Sequence, residues 1–112
     1  MKNTIIAAVL LLVIIGLVIA NAIITANIAD KLYRLTEEQN LRELQKYWEE
    51  KYYFLSLTTN AKMLEEAEKA LGDMISYKES ESEDEYKAAE KRFVNYVDEI
   101  ATGEKIIFYN IF

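Results

Sequence analysis

The chain has 112 residues, contains no cysteine and no histidine, and carries a net charge of −6. This composition excludes disulfides, thiol nucleophiles, cysteine–histidine zinc sites and histidine bases, and we predict no enzymatic activity, no metal site and no cofactor. The excess of acidic residues disfavours nucleic acid as a partner. Because proline is absent and only three glycines occur, the predicted fold class is all-α.

An uncharged, strongly apolar segment runs from Ile5 to Ile28. At a rise of about 1.5 Å per residue it extends for roughly 36 Å as a helix, which exceeds the roughly 30 Å hydrocarbon core of a bilayer. We therefore predict a transmembrane signal anchor in residues 1–29 that contacts membrane lipid through residues 5–28. The protein is expected in the cell membrane as a single-pass protein.

The beginning of this segment also resembles an export signal. Ala20, Asn21 and Ala22 form a small-x-small pattern that a signal peptidase could recognise. The apolar run continues beyond Ala22, which favours an uncleaved anchor, and the alternative is a secreted helical protein released by cleavage after Ala22. The signal-like start favours an extracytoplasmic module, which we predict, whereas Lys31 and Arg34 after the segment favour the opposite orientation.

Residues 30–112 are predicted to form one acidic helical module. The capping-box pattern of residues 36–39 predicts the start of its first helix. The turn-forming sequence SLTTN at 56–60 and the acidic loop at 79–85 separate it from a second and a third helix. Gly103 is expected to stop or kink the last helix. Because the connections are short, the three helices are predicted to pack antiparallel.

Each of the three predicted helices carries an apolar stripe. The apolar residues recur three and four positions apart, which is the spacing of one helix face, so these residues are the predicted core of the module. The stripes consist of Leu41, Leu44, Trp48, Tyr52 and Leu55; of Met63 or Leu64, Ala67, Leu71, and Met74 or Ile75; and of Tyr86, Ala89, Phe93, Tyr96 or Val97, and Ile100.

The acidic loop partly matches a calcium-binding pattern. Glu79, Glu81, Glu83 and Glu90 occupy positions 1, 3, 5 and 12 of an EF-hand count. Position 6, however, is Asp84 instead of the glycine that the sharp turn of that motif requires. We interpret the segment as a solvated loop, and a weak divalent-cation patch is the alternative.

The densest aromatic group of the chain lies on the first of these helices. Trp48 and Tyr52 fall on the apolar stripe and are predicted core residues, with a candidate ligand cleft between helices as the alternative. Tyr47, Tyr53 and Phe54 cannot all face the core. At least one of these three rings is therefore expected on the surface, as a partner contact or against the bilayer interface.

The sequence ends in a second apolar segment, IIFYNIF, at residues 106–112. Left exposed, such a segment would promote aggregation, so we expect it to fold back onto the helical core. The alternatives are contact with a partner protein or with the membrane surface. Its candidate contact residues are Phe108, Ile111 and Phe112.

The chain resembles a small bacterial family called domain of unknown function 4363. The matching positions are Trp48, Leu55 to Leu57, Leu71, Tyr77 and Asn110 to Phe112, and the resemblance extends over nearly the whole chain. Members of that family often carry a histidine and an acidic residue before the second helix, where this chain has Asn60-Ala61-Lys62. The resemblance implies a bacterial membrane-anchored helical protein and no assigned activity.

These observations together predict an envelope protein that acts by interaction or scaffolding. The anchor would hold the module near the membrane surface, where an exposed aromatic ring or the apolar terminal segment contacts another protein or a second copy of the chain. A ligand-binding sensor, with Trp48 and Tyr52 lining the cleft, is the alternative function.

Overall fold

The computed structural model describes the backbone of residues 1–111 and the side chains of residues 1–103. The described chain forms four helices and contains no strand. The all-α class is thus confirmed, with a long apolar helix near the amino terminus. The helices are α1 (Lys2–Glu37), α2 (Leu41–Thr58), α3 (Ala61–Glu79) and α4 (Glu83–Ile111).

The helices pack as a four-membered bundle around one core. Helix α1 packs against α2 and α4, and α3 packs against the same two helices. The carboxyl-terminal part of α1 is therefore a fourth helix of the bundle, in addition to the three predicted from the sequence. Helix α1 passes through residues 29 and 30, the predicted domain boundary, without a break. The antiparallel arrangement stays a prediction, which the short connections favour.

The predicted apolar stripes supply most of the core. Trp48 is 1% exposed, and its ring meets those of Tyr52 and Phe93 edge-on, with centroids 6.0 and 5.7 Å apart. This edge-to-face geometry is the one that aromatic quadrupoles favour. The buried core residues of α2, α3 and α4 are Leu44, Trp48, Leu55, Leu64, Ala67, Ala70, Leu71, Met74, Tyr86, Ala89, Phe93, Val97 and Ile100.

The start predicted at residues 36–39 for the first helix of the module is wrong. Thr36 is buried in the last turn of α1, where its hydroxyl donates a hydrogen bond to the carbonyl oxygen of Leu32 at 2.7 Å. A threonine inside a helix can satisfy its hydroxyl in this way. The chain turns at Gln39, whose φ is 55°, and Asn40 caps α2 by accepting a bond from the Glu43 amide at 3.4 Å.

The two later connections are shorter than predicted. Helix α2 continues to Thr58, and the Asn60 side chain caps α3 by accepting a hydrogen bond from the Lys62 amide at 2.8 Å. Only residues 80–82 connect α3 to α4. The acidic residues 83–85 form the first turn of α4, where negative charge is favoured by the helix dipole.

The predicted stop at Gly103 is also wrong. Helix α4 continues through this residue to Ile111. A glycine costs about 1 kcal/mol relative to alanine inside a helix, an amount that the rest of a 29-residue helix can offset.

Candidate membrane anchor and binding surfaces

The first part of α1 lies outside the bundle core. From Ile5 to Ile24 the large apolar side chains are exposed or half-buried. An 18-residue window of α1 is apolar enough to cross a membrane, and none of it is buried within the protein. A signal sequence has the same length and composition. The segment is therefore a candidate membrane anchor or signal sequence.

The bundle core begins on the same helix directly after this segment. Thr25, Ile28 and Ala29 are buried against the other helices. Thr25 and Ile28 belong to the stretch predicted to contact lipid, but the protein itself covers them. The part of α1 that remains uncovered is 20 residues long, or roughly 30 Å, which matches the hydrocarbon thickness of a bilayer.

One end of the bundle carries the whole excess of negative charge. It consists of residues 37–43 and 78–90, which we call the acidic pole. The Nζ atom of Lys78 donates a hydrogen bond to Oε1 of Gln39 at 2.9 Å, which brings the α1–α2 and α3–α4 connections together. The acidic pole contains nine of the 19 acidic residues and three of the 13 basic residues. Acidic and basic residues are equal in number over the rest of the chain, ten of each.

The acidic pole contains a cavity of about 320 Å³. Tyr86 lines this cavity and is only 4% exposed, and its hydroxyl has no hydrogen-bond partner among the described side chains. Burial, together with the negative charge of nearby Glu90, raises the pKa of Tyr86 to about 12. The Glu90 carboxylate therefore lies close to the Tyr86 hydroxyl. The other lining residues are Gln39, Tyr77, Lys78, Glu81, Ser82, Glu83 and Lys87.

The chemistry of this cavity suits a positively charged or hydrogen-bonding group. Lys78 already lies over the Tyr86 ring, with its Nζ atom 5.2 Å from the ring centroid, so the ring face attracts cations. Carboxylates surround the opening, and the buried Tyr86 hydroxyl can donate a hydrogen bond. Within the described part of the chain, no three acidic side chains are placed as the ligands of a metal ion would be.

Trp48 and Tyr52, the predicted cleft residues, lie in and beside the core. Trp48 is buried, Tyr52 is half-buried, and the Nε1 atom of Trp48 has no hydrogen-bond partner among the described residues. A small cavity of about 120 Å³ lies between α2 and α3, beside Trp48 and Gly72. Its volume is below the range of roughly 300–1,000 Å³ that is usual for ligand pockets. A ligand cleft at Trp48 stays a prediction.

The three aromatic residues of α2 that were predicted as contacts differ in exposure. They are Tyr47, Tyr53 and Phe54. Tyr47 is half-buried beneath Lys31 and Lys51, whose Nζ atoms lie 4.4 and 5.7 Å from the ring centroid, and burial is the main cause of its raised pKa. Phe54 is half-buried against the core. Tyr53, in contrast, is 75% exposed. Their role as partner contacts stays a prediction.

A second surface lies at the α2–α3 connection. We call residues 51–64 the apolar pole. This stretch contains two lysines, Lys51 and Lys62, and no acidic residue. Tyr53 and Leu57 lie on the last turns of α2 and are 75% and 66% exposed. Phe108, Ile111 and Phe112, the remaining predicted contacts, lie outside the described side chains.

The sequence alone did not reveal the cavity at the acidic pole. Tyr77 and Tyr86 flank the acidic segment on both sides, and this symmetric placement is the one signal that could have drawn attention to them. The contribution of Gln39 has no such signal, since its contact with Lys78 joins two connections that are distant in the sequence.

No family model, no curated protein and no solved structure matches this chain. The resemblance to domain of unknown function 4363 therefore stays a prediction.

Proposed function

We propose that this chain is a single-pass membrane protein whose bundle lies on the extracytoplasmic side and binds a protein partner through the acidic pole. The observation that carries the proposal is the continuity of α1 from an exposed apolar segment into the bundle core. Because no flexible linker separates the two parts, the anchor fixes the height of the bundle. Helix α2 spans roughly 27 Å, so the acidic pole projects by about this distance beyond the apolar pole.

The negative charge of the acidic pole favours a positively charged partner. Its surplus of carboxylates would attract a segment rich in lysine or arginine and increase the rate of encounter. The cavity beside Tyr86 offers a place where one side chain of that segment could be buried, and buried anchors of this kind supply most of the affinity of an interface. In a bacterial cell the partner would be another envelope protein, and the activity would be scaffolding.

The location of the acidic pole can be tested because the chain has no native cysteine. Ser80 is exposed in the α3–α4 turn, so the variant Ser80→Cys places a single thiol at the acidic pole. We expect a membrane-impermeant maleimide to label it in intact cells. The variant Asn3→Cys, on the other side of α1, should be labelled only after lysis. The reverse pattern would place the bundle in the cytoplasm and overturn the proposed location.

Partner binding can be tested by cross-linking in native membranes. A photoreactive residue at Ser80 should give an adduct with another protein, and charge reversal at Glu81 and Glu83 should abolish it. The matched control reverses Glu65 and Glu68, which are exposed on α3 outside the acidic pole. The proposal fails if no adduct forms, or if the control variant weakens it as much as the reversal at the acidic pole.

A secreted form is the second candidate, and one observation favours it. The buried core begins at Thr25, so cleavage after Ala22 would remove no core residue. The bundle could then leave the membrane with its packing intact. Mass spectrometry of the protein from the producing cell distinguishes the two candidates, because the secreted form would begin at Ile23.

A further inference from the structure

The exposed apolar residues of the bundle lie on one face at one end. Outside α1, the large hydrophobic residues exposed among the described side chains are Tyr53 and Leu57. They are four positions apart on α2, which places them one above the other on the same face of the helix. They form a patch at the apolar pole.

This patch is level with the carboxyl-terminal end of the exposed apolar segment of α1. Only residues 38–40 connect α1 to α2, and in the predicted antiparallel packing α2 runs back along α1. The Nζ atom of Lys31 lies 4.4 Å from the Tyr47 ring centroid, and each residue is eight positions from Gln39. Because both helices rise by about 1.5 Å per residue, the end of α2 lies beside residues 20–25 of α1.

The exposed apolar residues of α1 and of the apolar pole therefore lie at one level of the bundle. Ile23 and Ile24 are exposed on α1 at the level where Tyr53 and Leu57 are exposed on α2. A membrane surface at this level would meet all four side chains.

The composition of the apolar pole fits that contact. Aromatic rings are enriched at the membrane–water interface, and lysine side chains there extend their ammonium groups toward water. Residues 51–64 combine three aromatic residues with Lys51 and Lys62 and have no carboxylate to desolvate. The acidic pole, with nine acidic residues, has the opposite character.

We infer that Tyr53 and Leu57 insert into the interfacial layer of the membrane that α1 crosses, between the lipid headgroups and the acyl chains. This inference rests on the anchoring role proposed for α1. The bundle then contacts the bilayer at two places, along α1 and at the apolar pole, and its acidic pole points away from the lipid.

Depth-dependent quenching of a fluorophore tests the inference in the full-length protein. The protein is reconstituted in phosphatidylcholine nanodiscs that contain phosphatidylcholine with a shallow doxyl group. An environment-sensitive fluorophore is attached at Ser56→Cys, which is exposed between Tyr53 and Leu57. We expect a blue-shifted emission that the doxyl lipid quenches. The same fluorophore at Ser80→Cys, at the acidic pole, should remain unquenched.

Two further variants separate the inference from the proposed anchor. A label at Leu12→Cys, within the apolar segment, should be quenched by deep doxyl lipid if α1 lies in the bilayer. Replacing Tyr53 and Leu57 by serine should reduce the quenching at position 56 without changing that at position 12. Unchanged helical circular dichroism of this double variant would show that the bundle is still folded.

Each outcome has a defined meaning. If the Leu12→Cys label is quenched and the Ser56→Cys label is not, the inference is overturned and the anchor stands. If neither label is quenched, the anchor itself fails. If the Ser56→Cys label is unquenched and the unlabelled Ser56→Cys variant forms disulfide-linked pairs of chains under oxidising conditions, lipid contact is overturned in favour of self-association.

Discussion

The two ends of the bundle have the same helical scaffold but opposite surfaces. The acidic pole has nine acidic and three basic residues around a cavity, whereas the apolar pole has two lysines, no acidic residue and an exposed Tyr53. Both ends are joined by the same core around Trp48. The packing of this small bundle leaves the chemistry of its connections free to differ, so the two ends can have different partners.

The largest expected effect comes from removing the core that the two poles share. Trp48→Ala should lower the free energy of unfolding by roughly 3–5 kcal/mol, because it removes a large buried ring that contacts Phe93. Guanidinium unfolding in detergent micelles measures this, with fluorophores at Ser80→Cys and Ser56→Cys reporting on the two poles. Both labels should show the same lowered midpoint.

The control for this prediction lies on the same helix. Tyr53→Ala removes a ring that is 75% exposed and should change the free energy of unfolding in micelles by much less than Trp48→Ala. Different midpoints for the two labels in either variant would mean that the poles unfold separately and do not share one core.

A smaller effect on the free energy of unfolding is expected at high pH, and it comes from Tyr86 at the acidic pole. The pKa of Tyr86 is about 12 in the folded protein and about 10 in an unfolded chain. Ionisation of this hydroxyl therefore does not affect the free energy of unfolding below pH 10, and lowers it by roughly 2–3 kcal/mol in total as the pH rises toward 12. Tyr86→Phe should reduce the slope of stability against pH in this window.

Tyr86→Phe has a second expected consequence at neutral pH. The hydroxyl that it removes is buried without a hydrogen-bond partner, so the variant should be at least as stable as the natural protein. Tyr53→Phe is the control, since its ring is exposed. An unchanged pH slope in Tyr86→Phe would contradict the prediction that burial of this hydroxyl makes stability depend on pH.

The smallest expected effect concerns the helix caps at the two poles. Asn60→Ala at the apolar pole should cost about 1 kcal/mol, because its side chain accepts a hydrogen bond from the Lys62 amide at 2.8 Å. Asn40→Ala at the acidic pole should cost less, since its bond to the Glu43 amide is 3.4 Å long. Thermal unfolding of both variants measures the difference, and an equal or larger cost at Asn40 would contradict it.

Periodicity alone predicted most of the core correctly. Leu44, Trp48 and Phe93 are buried where the three- and four-residue spacing placed them, because amphipathic helices must bury one face. The ends of the helices were less predictable. Residues 36–39 have a capping-box sequence, yet the tertiary packing of Leu35 and Thr36 extends α1 beyond the predicted boundary.

The point at which α1 passes from its exposed segment into the bundle core could not be identified from the sequence. Thr25, Ile28 and Ala29 belong to one uninterrupted apolar run with the exposed residues before them. Residues that face lipid and residues that face a protein core have the same composition, so hydropathy does not separate them. The cavity at Tyr86 was missed for a different reason, since it depends on the contact between Gln39 and Lys78 across two connections.

Because α1 is one unbroken helix, its exposed apolar segment and the bundle should tilt together. If α1 crosses the membrane as proposed, a change of ~10° in its tilt there would displace a point roughly 30 Å farther along the axis by about 5 Å. Local changes in bilayer thickness alter helix tilt at modest energetic cost. The orientation of the acidic pole would therefore respond to the mechanical state of the surrounding membrane, and lipid composition becomes a variable that any binding measurement has to control.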